Sequence, residues 1–329
     1  MSTVVAKRSA EQAILSTPRV SLWQDAWYRL IRNRMAVVGL VVIAVFFAVA
    51  AFAPWLAPHD PLQIYDGKTF LPPPWAPRWM VSTAKVGEAR FFLGTDGIGR
   101  DVLSRVMYGA RVSVIIAFVP TTIVVIIGVL IGLAAGYAGG RVDNLLMRLT
   151  DIVWSFPDLL FFIVVMVSLR DTPLGNLWNG LFLLFGALSI VGWVGIARLV
   201  RGQALSLKEK EFIEAAHSIG ASNSRIMFRH ILPNTLSPII VSVAFRIPGM
   251  IITEAILGYL GLGLRPGTDP KEFFVTSWGA LLLQGQSALN AQPWLLLAPA
   301  ICVALVVMAF TFLGDGLRDA LDPRMRGTM

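Results

Sequence analysis

The sequence predicts an all-α polytopic membrane protein, a bundle of six transmembrane helices. Apolar residues make up 56% of the 329-residue chain and charged residues only 15%, well short of the roughly 25% charge that a water-facing surface demands. Mean hydropathy is +0.68. The apolar residues are gathered into six runs at or near the roughly 20 residues a helix needs to cross the hydrocarbon core, at 35–56, 112–138, 152–169, 181–197, 238–264 and 294–313. A helix is the expected form because lipid offers no partner to an open N–H or C=O, and a helix closes its own. The one cysteine, Cys302, lies inside the last run and excludes a disulfide scaffold.

The first run follows a 34-residue lead and continues past 20 residues, so it reads as an uncleaved anchor rather than a signal peptide, whose apolar core is 7–15 residues long. The loop at 57–111 contains Gly67-Lys68-Thr69 but lacks the earlier glycine and leading strand of a phosphate-binding loop. Further on, 93–101 is glycine-rich with Asp96 and Asp101. A calcium loop would need more oxygen ligands and a terminal Glu, so this stretch reads as glycine turns with an Asp capping the next helix.

The second run carries Gly128, Gly132, Gly136 and Gly140 at every fourth position, a groove in which a neighbouring helix can approach closely. The third and fourth runs are short. The fifth holds Arg246 and Glu254, eight residues apart around Pro248-Gly249. Ionisable groups at bilayer depth face protein or a water-filled path. Two readings of this pair stand: a place on a translocation path or subunit interface, or a mutual or partner ion pair that only holds the bundle together. His59, His217 and His230 are scattered and have no metal-ligand spacing, and no nucleophile motif occurs.

The net charge of +8 points to basic cytoplasmic loops rather than to nucleic acid. With six spans both termini share one side, and that side would hold Lys7, Arg8, Arg19, Arg29, Arg32, Arg34, Arg141, Arg148, Arg198, Arg201, Lys208, Lys210, Arg225, Arg229, Arg318, Arg324 and Arg326. The other side would hold Arg170, Arg265, Lys271 and the seven basic residues of 57–111. The bias predicts cytoplasmic termini in a cell-membrane protein.

The connector between the fourth and fifth spans is the most informative segment. Phe212, Ala215, Ala216 and Ile219 recur at i, i+3, i+4, i+7, with Glu211, Glu214 and Ser218 as a polar stripe. Gly220 stands where a helix should end, Ser222 where the next should begin, and Pro233 should limit that second helix. The two alanines leave room for another protein to approach. An interfacial helix lying on lipid is disfavoured by the narrow apolar face, the acidic stripe and the lack of Trp.

Glu214-Ala215-Ala216, Gly220 and Leu232-Pro233 resemble the EAA loop of permease subunits of binding-protein-dependent ABC importers. His230-Ile-Leu-Pro-Asn234 resembles the dipeptide/oligopeptide branch, as do 93–105 with Tyr108–Arg111, 197–203, 259–263 and 314–324. The chain is most similar to the C-type subunit of that branch, while 79–92 and 268–276 depart from its pattern. The resemblance implies the type I importer permease fold: a cytoplasmic segment 1–34, a permease domain 35–314 with external loop 57–111 and coupling loop 201–236, and a tail 315–329. It implies half of a solute path for di- or oligopeptides, or for a related small solute such as nickel. The implied partners are a second permease, two cytoplasmic ATPases that bind ATP and Mg, and an extracytoplasmic solute-binding protein; this chain itself would hold no cofactor and catalyse nothing. Phe212, Glu214, Ala215, Ala216, Ile219, Gly220, Leu232 and Pro233 would then form the ATPase-coupling loop. An ion-gradient-driven secondary transporter is the alternative. It would need intramembrane acids and inverted repeats, whereas Glu254 is the one acid well inside a run and the halves show no repeat.

Overall fold

The structure is a computed structural model that describes residues 22–77, 85–269 and 272–322. Lys7, Arg8, Arg19, Arg78, Lys271, Arg324 and Arg326 lie outside the described residues. The helices are α1 (Leu22–Arg32), α2 (Arg34–Leu56), α3 (Val102–Ala138), α4 (Gly140–Trp154), α5 (Asp158–Leu169), α6 (Leu181–Gly192), α7 (Val194–Lys208), α8 (Glu211–Ser218), α9 (Leu232–Tyr259), α10 (Trp278–Ser287) and α11 (Trp294–Leu321). Among the described residues the only β pairing is an isolated bridge between Thr95 and Asp101. Five stretches are long and apolar enough to cross a membrane: Arg34–Leu56, Val102–Ala138, Pro173–Lys208, Asn223–Tyr259 and Trp294–Leu321. The pair α4 and α5, bent by 74°, makes a sixth if the two are counted together as one broken span.

Helix boundaries depart from the hydropathy runs in informative ways. Asn33 caps α2, its side chain accepting from the N–H groups of Met35 and Ala36, so the lead is not a plain tail: α1 is a separate amphipathic helix held by an Asp25–Arg29 pair at 2.8 Å. The second span begins at Val102 rather than at 112, because Asp101 caps it there by accepting from the Ser104 N–H. The third expected span, 152–169, is broken. Pro157 disfavours helix at Phe156, α4 stops at Trp154, and α5 alone has 12 residues, about 18 Å at 1.5 Å per residue, too short to cross. The fourth runs on to Lys208 and the sixth to Leu321, beyond the expected 197 and 313. Pro233 does not end a helix. A π turn over Met227–Ile231, closed by the Leu232 N–H to the Met227 carbonyl, carries the chain into α9 with Pro233 in its first turn, where a missing N–H is harmless.

Two close approaches organise the bundle. The glycines of α3 lie flat against α7: a Cβ on Gly128 would come within 2.7 Å of the Ile196 Cβ, one on Gly132 within 2.5 Å of the Ala197 carbonyl, and one on Gly136 within 2.7 Å of the Ala204 Cβ. Gly140 is not part of this groove; an added Cβ there meets nothing within 4 Å, and its φ of +54° serves the turn between α3 and α4. At the other seam α1, the start of α2 and the end of α11 meet through buried Ala26, Leu30, Ala36 and Ala320.

The described parts of the connector, 57–77 and 85–101, are folded rather than slack. Leu71 and Thr95 exchange two hydrogen bonds, of 2.9 and 3.0 Å, and Trp278 of α10 donates to the Val106 carbonyl at 2.9 Å. At its base Arg105, 1% exposed, donates from Nη1 to Asp96 at 2.5 Å and to Gln284 of α10 at 2.6 Å. Arg100 adds a 2.8 Å bond to the same Asp96 carboxylate. Burial pushes the Asp96 pKa up, but Arg105 and Arg100 outweigh it and hold the group below the ordinary carboxylate range.

Candidate functional site

The segment 209–236 stands at the end of the bundle that also carries Tyr137, the closing residues of α7 and the start of α9. Helix α8 starts without a side-chain cap but places Glu211 and Glu214 in its first turn, where carboxylates complement the open N–H groups. It stops in a two-bond turn: the Gly220 N–H reaches the His217 carbonyl at 2.9 Å, and the Ala221 N–H reaches the Ala216 carbonyl at 3.0 Å. This is a Schellman cap, whose C′ residue must adopt a left-handed conformation. Gly220 has φ +79°. Ser222 then accepts from the Arg225 N–H to start the short turn Asn223–Ile226.

Helix α8 has two faces, and they are not the ones its apolar spacing implied. Ile213 and Ala216 are buried at 1% and 4% and join the core with Ile226 and Ile231. Phe212 and Ile219 stay 43% and 86% exposed, and Glu214, Ala215 and Gly220 are exposed with them. Ala216 therefore belongs to the seat of the helix and not to its free face, and the seat residue Ile213 was missed. The i, i+3, i+4, i+7 spacing predicts one stripe, whereas Ala216 lies on its inner edge beside Ile213. Leu232 is half-buried and Pro233 exposed at the root of α9.

A second brace also escaped the sequence. Tyr137, at the end of the glycine groove, donates to the Asn223 side chain at 2.9 Å, lies 3.3 Å from His217 Nε2 and stacks on the His217 ring at 12° between planes. Arg201 of α7 grips Asp143 of α4 with two bonds of 2.5 and 2.7 Å. Helix α8 is thus tied to α3, α7 and, through the π turn, α9. Displacing it would move these helices with it, while its outer face offers an aromatic ring, an aliphatic side chain and two carboxylates to whatever docks there.

Arg246 and Glu254 are separated by the structure. A mutual ion pair is ruled out: they are about 12 Å apart along α9 at 1.5 Å per residue, and neither forms an ion pair with the other. Glu254 is fully buried, against Ser277 and the Gly279 backbone at the start of α10, where a Cβ on Gly279 would lie 3.0 Å from its Oε1. It therefore lines neither a path nor an outer interface of this chain. Arg246 instead borders a cleft of about 770 Å³ between α7, α9 and α11, lined also by Gln203, Asn234, Ser237, Ser242, Arg318 and Asp322. No cluster of three or more metal-ligating side chains occurs among the described residues.

Residues 128–327 match the family described as binding-protein-dependent transport system inner membrane component, and residues 21–73 match the N-terminal TM domain of oligopeptide transport permease C. The oligopeptide transport system permease protein OppC of Escherichia coli (strain K12) is 41% identical over 93% of this chain and 92% of its own length. OppC of Haemophilus influenzae is 40% identical over 93% and 90%. The dipeptide transport system permease protein DppC of Bacillus subtilis is 36% identical over 97% and 91%. Among solved structures, a chain from the inward-facing MetNI methionine ABC transporter superposes with a TM-score of 0.52 at 18% identity, covering 67% of this chain and 97% of that one.

Proposed function

We propose, from the premise that this chain belongs to the binding-protein-dependent transport system inner membrane components, that it walls half of the solute path of an ATP-driven importer and is moved by cytoplasmic ATPases gripping α8. The chain is a multi-pass membrane transport subunit rather than an enzyme, and its family works with ATPase and substrate-binding partners. The gradient-driven alternative is set aside by that membership. The finer reading is a hetero-assembly of this chain, a second permease, two ATPases and an extracytoplasmic binding protein, with both termini cytoplasmic. The solute class supported by the relatives' names is di- and oligopeptides.

One observation carries the coupling assignment: α8 is anchored by buried Ile213 and Ala216 and capped rigidly at Gly220, yet leaves Phe212 and Ile219 in the open. A helix held on one face and apolar on the other transmits force if a partner covers the second. ATP, binding better to the closed ATPase pair, would then shift the permease pair between two states through that contact. Glu214→Arg tests this. It reverses a charge on the free face at a cost to the isolated helix of only about 0.3–1 kcal/mol, so the chain should still insert. Co-purification of the ATPases should fall severalfold and uptake with it; full ATPase recovery with normal uptake would remove Glu214 from the contact.

A further inference from the structure

We infer that the cleft beside α9 is the inner half of the solute path as walled by this chain, and that Arg246 is the contact in it that receives a carboxylate of the passing solute. This rests on the importer reading and extends it to solute chemistry.

Arg246 lies in the middle of α9, twelve residues from Asn234 at the cleft mouth, about 18 Å at helical rise. A guanidinium that deep faces protein or water and normally has an acid beside it. Arg246 has none: among the described residues it makes no ion pair, its Nε is buried without a hydrogen-bond partner, and Asp158 is the one carboxylate close enough to be felt. The fold nevertheless makes a seat for it. The break between α6 and α7 brings Gly192 and Gly195 to the guanidinium, where a Cβ on Gly192 would fall 2.6 Å from Nη2 and one on Gly195 4.0 Å from Nη1.

The walls around this cation are uncharged, with hydrogen-bonding Gln203, Ser237 and Ser242 set among apolar Leu199, Val241 and Leu321. The only carboxylate lining the cleft is Asp322 at its mouth, next to Arg318. Arg246 is the lining residue furthest along α9 from Asn234, at the deep end of the cleft in the middle of that helix. A cation without an ion-pair partner at the far end of a cleft of this size attracts negative charge from a low-dielectric wall. A carboxylate-bearing solute such as a peptide fits that field. A bare divalent metal ion does not, since it would meet the guanidinium and find no ligand cluster among the described residues.

The test uses the whole importer in inside-out vesicles with Cys302→Ser, which removes this chain's sole native thiol, and labelling is read on this chain alone. Ser242→Cys, one turn from Arg246, and Ser237→Cys, nearer the mouth, are labelled with an anionic sulfonatoethyl and a cationic trimethylammonioethyl methanethiosulfonate. The anionic-to-cationic rate ratio at position 242 should fall about tenfold when Arg246→Gln is added, since a unit charge about one turn away in water shifts each reagent roughly threefold in opposite directions. Arg246→Lys should keep it, and position 237 should change less. Gly192→Val, which crowds the seat, should lower the ratio at 242 as well. An unchanged ratio in Arg246→Gln, or failure of both reagents to reach either cysteine in the assembled complex, would overturn the inference, the second outcome meaning that a partner helix fills the cleft. Loss of ATP dependence in the unsubstituted complex would instead strike the importer reading and leave the labelling pattern intact.

Discussion

Gly220→Pro should abolish ATP-driven solute uptake while the amount of inserted protein stays near normal. An added Cβ at Gly220 would meet nothing within 4 Å, so substitutions there act through backbone conformation alone. Its φ of +79° lies where L-residues pay roughly 1–2 kcal/mol, and proline cannot adopt it because the ring fixes φ near −65° and removes the N–H. That N–H is one of the two bonds closing α8. A graded series follows: Gly220→Asn should keep most uptake, since Asn tolerates the left-handed region, Gly220→Val should lose much of it, and Gly220→Pro nearly all. The span helices close their own bonds and do not depend on this turn, so membrane content, read by immunoblot, should not follow the same order. Uptake that is equal across the series would show that the turn transmits nothing.

Arg105→Ala should destabilise the assembled protein by about 3–5 kcal/mol, the usual cost of removing one partner from a buried ion pair. The side chain is buried and ties α3 to the 57–101 connector through Asp96 and to α10 through Gln284. Its removal leaves Gln284 without its donor and opens a void beside a carboxylate. Asp96→Asn should be as damaging, because the guanidinium then stays buried beside a neutral amide. Replacing the pair together, Arg105→Met with Asp96→Leu, should recover part of the loss, since charges removed as a pair no longer need each other. Thermal unfolding of the detergent-purified complex reads this. If the double variant is as unstable as the sum of the single ones, the pair itself is not what holds the connector.

Much of this architecture can be read from the chain, and the failures have particular causes. Hydropathy finds six crossings because hydrocarbon thickness fixes their length, and the turn at Gly220 and the cap at Asp101 are legible because few residues satisfy those backbone positions. The groove of Gly128, Gly132 and Gly136 is likewise legible, since only missing side chains allow that spacing. Hydropathy misplaces ends where polar residues are satisfied by distant partners: Arg105 finds Gln284, 179 residues away, and Arg111 reaches the Ala50 carbonyl at 3.1 Å and lies 4.1 Å from the Phe273 ring centre. Pro157 carried a readable break signal that the apolar run around it concealed. Pro233 carried a stop signal that the π turn overrode. The inward turn of Ala216 and the burial of Glu254 against α10 depend on which helix lies opposite, and local periodicity holds no record of that. Tyr137 could have been found only as an aromatic ending a glycine groove, a weak cue alone.

The most direct measurement concerns what touches the free face of α8. Ile219→Cys in a Cys302→Ser background, treated with a short thiol-to-amine cross-linker in native membranes, should join this chain to an ATPase subunit, with the yield changing when ATP is supplied without hydrolysis. Ile213→Cys, on the buried face, should not cross-link. A product at position 219 formed only with extracytoplasmic protein, or thiol labelling there by an impermeant reagent from outside intact cells, would contradict the account.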